Sequence, residues 1–151
     1  MKLYVIRHGN TDSNRLDIYN GKLLNEDINN IGIKQAQEAS KKIKNLNIDL
    51  IICSPLLRTR HTCDIINSNK IKVIYDDRIE ERNCGVLTNT KIDNFYYTEY
   101  WNYYSKVKID NLETVPELFK RVNLFLDEIK KKYRGQNILL VTHGGVARQS
   151  I

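Results

Sequence analysis

The sequence predicts an α/β fold with three layers, in which helices cover both faces of a mostly parallel central sheet. Short apolar runs alternate with segments of helical periodicity, which is typical of parallel strands joined by crossover helices. Two of these runs end alike, one at Arg7-His8-Gly9 and the other at His143-Gly144-Gly145. At 151 residues, the chain has the length of a single domain, residues 1–151, with its own core.

Four strands are predicted from apolar, partly β-branched runs. In chain order, the runs are Leu3–Ile6, Asp49–Cys53, Lys72–Tyr75 and Asn137–Thr142. Ligands of open α/β sheets bind beyond the carboxyl ends of the strands. Because His8, Ser54 and His143 each follow a strand, we expect all three at that edge of the sheet.

Three longer helices follow from the spacing of apolar residues. The first runs from about Ile31 to Leu46, with Asn29 or Asn30 as its N-cap. The second runs from about Leu56 to Asn67, with Ser54 available as its N-cap, and the third spans 113–133 with a proline in its first turn. The predicted loops are 11–24, which has room for one helical turn, and 76–94.

Seven aromatic residues lie between Phe95 and Tyr104. One interpretation is a helix that packs its rings against the body of the domain. The other is a lid over a substrate, since loops and insertions at such an edge often set specificity. Both interpretations can hold at once.

The formal charge of +6 favours anionic partners. Clustered lysines at 41–44 and 130–132 fit the last turns of two helices better than a nucleic-acid surface. No long apolar run suggests a membrane span, so a cytoplasmic protein without nucleic-acid or membrane partners is expected. The three cysteines lack metal-type spacing and are expected to be reduced, at least half-buried thiols.

The residues at the strand ends suit a phosphomonoester, which carries about −1.5 to −2 charges near neutral pH. Arg7 and Arg58 can bind its oxygens, and Asn14 can donate a neutral hydrogen bond. A neutral His8 can attack phosphorus, because neighbouring arginines disfavour the protonated imidazole. A protonated His143 would add positive charge around the phosphoryl group.

A general acid for the leaving oxygen is expected in the 76–94 loop, because a carboxylic acid beside a bound dianion is pushed towards its protonated form. Spacing alone does not choose between Glu80 and Glu81. Each candidate also has a plain alternative. The Arg-His-Gly run could be a surface turn, Arg58 a solvated helix residue, and either glutamate a salt-bridge partner. His61 is interpreted as structural.

Taken together, the motifs resemble the histidine phosphatase superfamily, the phosphoglycerate mutase-like family, over nearly the whole chain. They are Arg7-His8-Gly9-Asn10-Thr11 with Asn14, Ser54-Pro55-Leu56-Leu57-Arg58-Thr59 with Thr62, Glu80-Glu81-Arg82-Asn83-Cys84-Gly85, and Thr142-His143-Gly144-Gly145. The resemblance implies a phosphohistidine on His8, with His143 and a substrate-binding set at the phosphate. That set is Arg7, Asn14, Arg58 and Gly144.

The resemblance also selects between the two glutamates, because the family places its acid four residues before a glycine. Gly85 stands four residues after Glu81, so Glu81 is the implied acid. Asn20 and Gly21 fall where family members often line the pocket. No metal or organic cofactor is implied.

Two departures from the family are visible. The family's second glycine after Gly85 is missing in 86–89, so the pocket mouth is expected to differ. Family members also continue beyond the segment that ends here at Ile151, usually with a helix and further strands, one of which pairs beside the first strand. We therefore expect a truncated chain, or an apolar edge at Leu3–Ile6 that a second copy covers.

These observations predict a phosphatase that hydrolyses small phosphomonoesters through His8 and Glu81. The alternatives are phosphoglycerate mutase-type transfer and a non-catalytic protein that binds phosphorylated ligands. The substrate itself is not predicted.

Overall fold

A four-stranded parallel sheet forms the centre of the protein. The computed structural model describes residues 1–150; Ile151 and the side chains of Phe95 and Tyr96 lie outside the described part. The strands are β1 (Lys2–Arg7), β2 (Leu50–Cys53), β3 (Val73–Tyr75) and β4 (Asn137–Thr142). Their order across the sheet is β1-β4-β2-β3. All four predicted strands are confirmed within one or two residues.

Helices connect the strands. They are α1 (Asp12–Arg15), α2 (Asn30–Ile43), α3 (Leu57–Ile66), α4 (Asn94–Tyr100), α5 (Val115–Lys132) and α6 (Gly144–Gln149). Two 3₁₀ turns, Asp77–Ile79 and Gly85–Leu87, interrupt the predicted 76–94 loop. None of the described helices is both long and apolar enough to cross a membrane.

Two helix starts show how the local sequence sets the boundaries. Asn29 caps α2 by accepting a hydrogen bond from the Gly32 N–H, which settles the predicted choice between two asparagines. Thr114 caps α5 in a reciprocal capping box with Glu117. That threonine cap places the start of α5 two residues later than predicted.

Side chains of β4 alternate between two cores, one on each face of the sheet. Ile138 and Leu140 pack with the buried stripe of α5, and Leu139 and Val141 pack with α2 and α3. This alternation follows from the two-residue period of a strand. It confirms the three-layer arrangement with helices on both faces.

The strand register brings the candidate site residues to one edge. Arg7 pairs with Thr142, and Cys53 pairs with Val141, so three strands end at the same level. The next residues along the chain are His8, Ser54 and His143. Consequently, three polar side chains from distant parts of the sequence meet beyond the carboxyl ends of the strands.

In the described residues β1 pairs with β4 and forms an edge of the sheet, as predicted. Its apolar residues, at 3–6, are half-buried. Such an edge offers unpaired backbone groups to another strand. Association with a second copy through this edge stays a prediction.

Candidate active site

The ring of the first histidine, His8, is oriented by the backbone of the next residue. The His8 ring Nδ1 lies 2.7 Å from the Gly9 carbonyl oxygen. Because a carbonyl only accepts, Nδ1 is assigned the proton, which leaves the Nε2 lone pair free for a ligand. The Gly9 N–H donates to Thr62 Oγ1 at 2.9 Å. A side chain at Gly9 would collide with the Gly32 backbone, so this turn requires glycine.

The second histidine lies opposite, as predicted, with the His8 and His143 ring centroids 5.2 Å apart. His143 Nε2 lies 2.7 Å from Ser54 Oγ, whereas its buried Nδ1 has no hydrogen-bond partner among the described residues. A donating Ser54 hydroxyl would place the His143 proton on Nδ1, where it can donate to an anion.

The Ser54 contact corrects the predicted helix cap. The N-cap residue of α3 is Leu56, and no side chain caps that helix. The serine hydroxyl lies against His143 because β2 and β4 are neighbours and end at the same level, and its oxygen accepts only a long bond, 3.5 Å, from the Leu56 N–H. The sequence signal that could have revealed this contact is the serine immediately after a strand, beside the strand that leads to the histidine.

Arg58 is fully buried, so the alternative of a solvated helix residue is wrong. Its guanidinium donates to the carbonyl oxygens of Gly21 at 2.6 Å and Leu24 at 2.9 Å. The third guanidinium nitrogen, Nε, is buried without a partner among the described residues. Two carbonyls therefore hold this cation in place, while its Nε–H is left for a ligand.

Other members of the predicted binding set line two neighbouring cavities. Arg7 and Asn14 border both cavities, one beside His8 and the other beside Glu81. The Asn14 side-chain oxygen accepts from the Thr11 N–H, which leaves its amide N–H groups for other partners. The second cavity is also lined by predicted binding residues, namely Asn20, Gly21 and Gly144.

The two glutamates occupy different environments. Glu81 lines the second cavity, and its carboxylate accepts from the N–H groups of Gly145 at 3.2 Å and Arg82 at 2.9 Å. Glu80 forms an ion pair with Lys22, with 3.4 Å between Oε2 and Nζ. Of the pair, Glu81 therefore has the position from which a leaving group could be protonated.

The aromatic segment packs and also lines the cavity. The ring of Tyr100 is buried against Tyr19 and against Trp101, with centroids 5.0 and 4.9 Å apart. Tyr97, Tyr100 and Trp101 line the cavity beside Glu81. Of the predicted aromatic run, the side chains of Phe95 and Tyr96 lie outside the described residues.

Sequence reasoning missed the arginine that anchors this aromatic wall. Arg82 is buried and donates to the backbone carbonyls of Glu113 and Tyr100. Its guanidinium also lies 4.0 Å from the Tyr100 ring centroid. The third histidine of the chain, His61, is outside this arrangement and pairs with Asp27 at 2.8 Å.

Electrostatics keeps both facing imidazoles neutral in the free protein. Burial, followed by the nearby Arg58 charge, lowers the pKa of His8 to about 3. The same two causes, in the same order, hold the pKa of His143 well below its usual value. A neutral His8 retains the lone pair that nucleophilic attack requires.

These lowered pKa values predict acid destabilisation. Below the unfolded-state pKa of about 6.5, the unfolded chain binds protons that the folded His8 excludes until about pH 3. As the pH falls from 7 to 5, the unfolding free energy should therefore drop by about 2 kcal/mol on account of His8, with a further loss of the same sign from His143. Urea unfolding in phosphate-free buffer measures this change in the unfolding free energy. His8→Gln should lose one histidine's share, and an unchanged pH dependence in that variant would contradict the prediction.

No group of three or more His, Cys, Asp or Glu side chains in the described part of the chain could hold a metal ion. The cysteines at 53, 63 and 84 are buried, as predicted. The functional groups of the site are two imidazoles, two guanidinium groups, an asparagine amide and a carboxylate.

Comparison with known proteins gives the family. The family model of the histidine phosphatase superfamily (branch 1) matches residues 3–151. Phosphoserine phosphatase 1 of Hydrogenobacter thermophilus is 29% identical, over 95% of this chain and 71% of that protein. The probable phosphoglycerate mutase GpmB of Yersinia pestis is 32% identical, over 95% of this chain and 70% of that protein.

A solved structure shows the same likeness. Phosphoserine phosphatase from Entamoeba histolytica, in complex with 3-phosphoglyceric acid, superposes with a TM-score of 0.84 at 25% identity, over 98% of this chain and 76% of that one. The family match spans the strands and the loops that carry the facing histidines. The chain therefore belongs to the histidine phosphatase superfamily, branch 1.

Proposed function

We propose that this protein hydrolyses small phosphomonoesters through a phosphohistidine intermediate on His8, with Glu81 as the proton donor. The observation that carries the proposal is the pair of neutral, facing imidazoles beside a buried arginine. Nε2 of His8 is free, Nδ1 of His143 lacks a partner, and Nε of Arg58 lacks one too. A phosphoryl group supplies oxygens for the two donors, on His143 and Arg58, and a phosphorus atom for the His8 lone pair.

The first step transfers the phosphoryl group to the enzyme. The His8 Nε2 lone pair attacks phosphorus, and the bond to the ester oxygen breaks with its electrons moving to that oxygen. The positive charges of Arg7 and Arg58 offset the charge on the phosphoryl oxygens, to which Asn14 and neutral His143 donate hydrogen bonds. Glu81 gives its proton to the departing oxygen, which leaves as an alcohol.

The second step releases phosphate. The Glu81 carboxylate takes a proton from water, and the water oxygen attacks phosphorus while the phosphorus–nitrogen bond breaks. His8 returns to its neutral form, and inorganic phosphate leaves. Glu81 is then protonated again and ready for the next ester.

Hydrolysis of p-nitrophenyl phosphate tests this proposal. We expect the purified protein to release nitrophenolate and phosphate, and His8→Ala to lose the activity because no nucleophile remains. Full activity in His8→Ala would overturn the proposal. Vanadate or phosphate binding without turnover would indicate the non-catalytic alternative.

Phosphoryl transfer of the mutase type is the second candidate, favoured by the 32% identity to GpmB. A mutase returns the phosphoryl group to a second hydroxyl group instead of water. Release of 2-phosphoglycerate from 3-phosphoglycerate, dependent on a bisphosphorylated primer and with little free phosphate, would identify a mutase.

A cytoplasmic location stays a prediction from the sequence.

A further inference from the structure

The cavity beside Glu81 carries a second cation that the proposed mechanism does not use. Arg148 lines this cavity together with Glu81 and Arg7, the other charged residues among its described lining. Its guanidinium lies 4.6 Å from the Trp101 ring centroid, and one nitrogen lies 3.4 Å from the Tyr97 hydroxyl. No carboxylate in the described part of the chain forms an ion pair with it. Tyr97 and Trp101 thus hold this exposed cation at the cavity, and no described carboxylate neutralises its charge.

The position of Arg148 places it on the leaving-group side. Glu81, which would protonate the leaving oxygen, accepts from the Gly145 N–H. Arg148 follows Gly145 by three residues in α6, so the two residues share a face one turn, about 5 Å, apart. An anionic group a few ångströms from the ester oxygen would therefore meet the guanidinium.

The same cavity offers buried donors that lack partners. Asn20 Nδ2 and Trp101 Nε1 have no hydrogen-bond partner among the described residues, and both residues line this cavity. Its volume of about 140 Å³ suits a small molecule. Unpartnered donors beside a cation match a group with several acceptor oxygens, and a carboxylate has that chemistry.

We infer that Arg148 determines specificity by binding a carboxylate on the leaving group, so that the preferred substrates are small phosphorylated hydroxy or amino acids. This inference rests on the proposed phosphatase activity for its orientation. The carboxylate would lie against Arg148 while the ester oxygen lies at Glu81. The phosphoryl group would then reach His8 across Arg7 and Asn14, which border both cavities.

A matched pair of substrates tests the inference. Phosphoserine carries a carboxylate, and phosphoethanolamine is the same ester without it. Arg148→Gln should raise KM for phosphoserine about tenfold, the size expected for losing a charge-assisted hydrogen bond, and leave that for phosphoethanolamine unchanged. The control is Arg134→Gln, an exposed arginine between α5 and β4 at the opposite end of the sheet, which should change neither value.

A binding arm separates this inference from the proposed function. Titration calorimetry on His8→Ala, with and without Arg148→Gln, compares the two esters without any chemistry. We expect His8→Ala to bind phosphoserine about tenfold more tightly than phosphoethanolamine, and Arg148→Gln to remove that difference. Equal affinities for the two esters, or an equal loss for both in Arg148→Gln, would overturn the inference while leaving hydrolysis through His8 intact.

Discussion

Glu81→Gln is expected to slow the hydrolysis of alkyl phosphates such as phosphoserine by about 10²- to 10⁴-fold in kcat, the usual contribution of a general acid. An alkoxide is a poor leaving group that needs a proton, whereas nitrophenolate departs without one. The loss with p-nitrophenyl phosphate should therefore be much smaller. Steady-state kinetics on both substrates measures the difference between the two losses.

Glu80→Gln is the matched control, because it makes the same substitution one residue away. Glu80 faces Lys22 instead of Gly145, so its loss should leave both rates nearly unchanged. The assignment of the acid would be wrong if Glu80→Gln caused the larger loss with phosphoserine. It would also be wrong if Glu81→Gln slowed both substrates equally.

Gly145→Ala should reproduce much of the Glu81→Gln profile without touching the carboxylate itself. A Cβ at this position would lie well inside van der Waals contact of Glu81 Oε1 and 3.2 Å from Trp101 Cη2. The Glu81 carboxylate would have to move away from the leaving oxygen. We expect kcat with phosphoserine to fall about 10²-fold, the scale of a displacement near 1 Å, with a smaller loss for p-nitrophenyl phosphate.

Gly144→Ala is the control for this prediction. A Cβ there would meet Arg7 Nε at 3.6 Å, which is ordinary van der Waals contact. Both glycines belong to α6, so both substitutions raise helix propensity in the same way. Similar losses in the two variants, or a Gly145→Ala loss that is equal for both substrates, would show that Gly145 does not position the acid.

The parallel sheet and the convergence of the histidines were predictable because strong local signals coincide with simple topology. Continuous apolar strands such as β2 must be buried on both faces, and parallel strands end at a common edge. His8 and His143 follow such strands directly, so their meeting required no knowledge of side-chain packing. The family resemblance added the choice of Glu81 over Glu80.

Side-chain partners that depend on packing were not predictable in this way. Ser54 has the sequence context of a helix cap, yet a neighbouring strand brings His143 to its hydroxyl. Arg82 lies in the predicted 76–94 loop, where the sequence does not indicate that the side chain is buried against two carbonyls and an aromatic ring. The sequence does not distinguish Arg148 from the other arginines, because its contact with the Trp101 ring depends on how α6 packs.

Trapping the phosphorylated protein tests the central claim most directly. Protein quenched during turnover of p-nitrophenyl phosphate, then digested and examined by mass spectrometry, should carry one phosphoryl group on His8. The group should be labile to acid, stable to base and attached to Nε2, the nitrogen that the Gly9 contact leaves free. A phosphoryl group on any other residue, or turnover with an unmodified His8, would contradict the account.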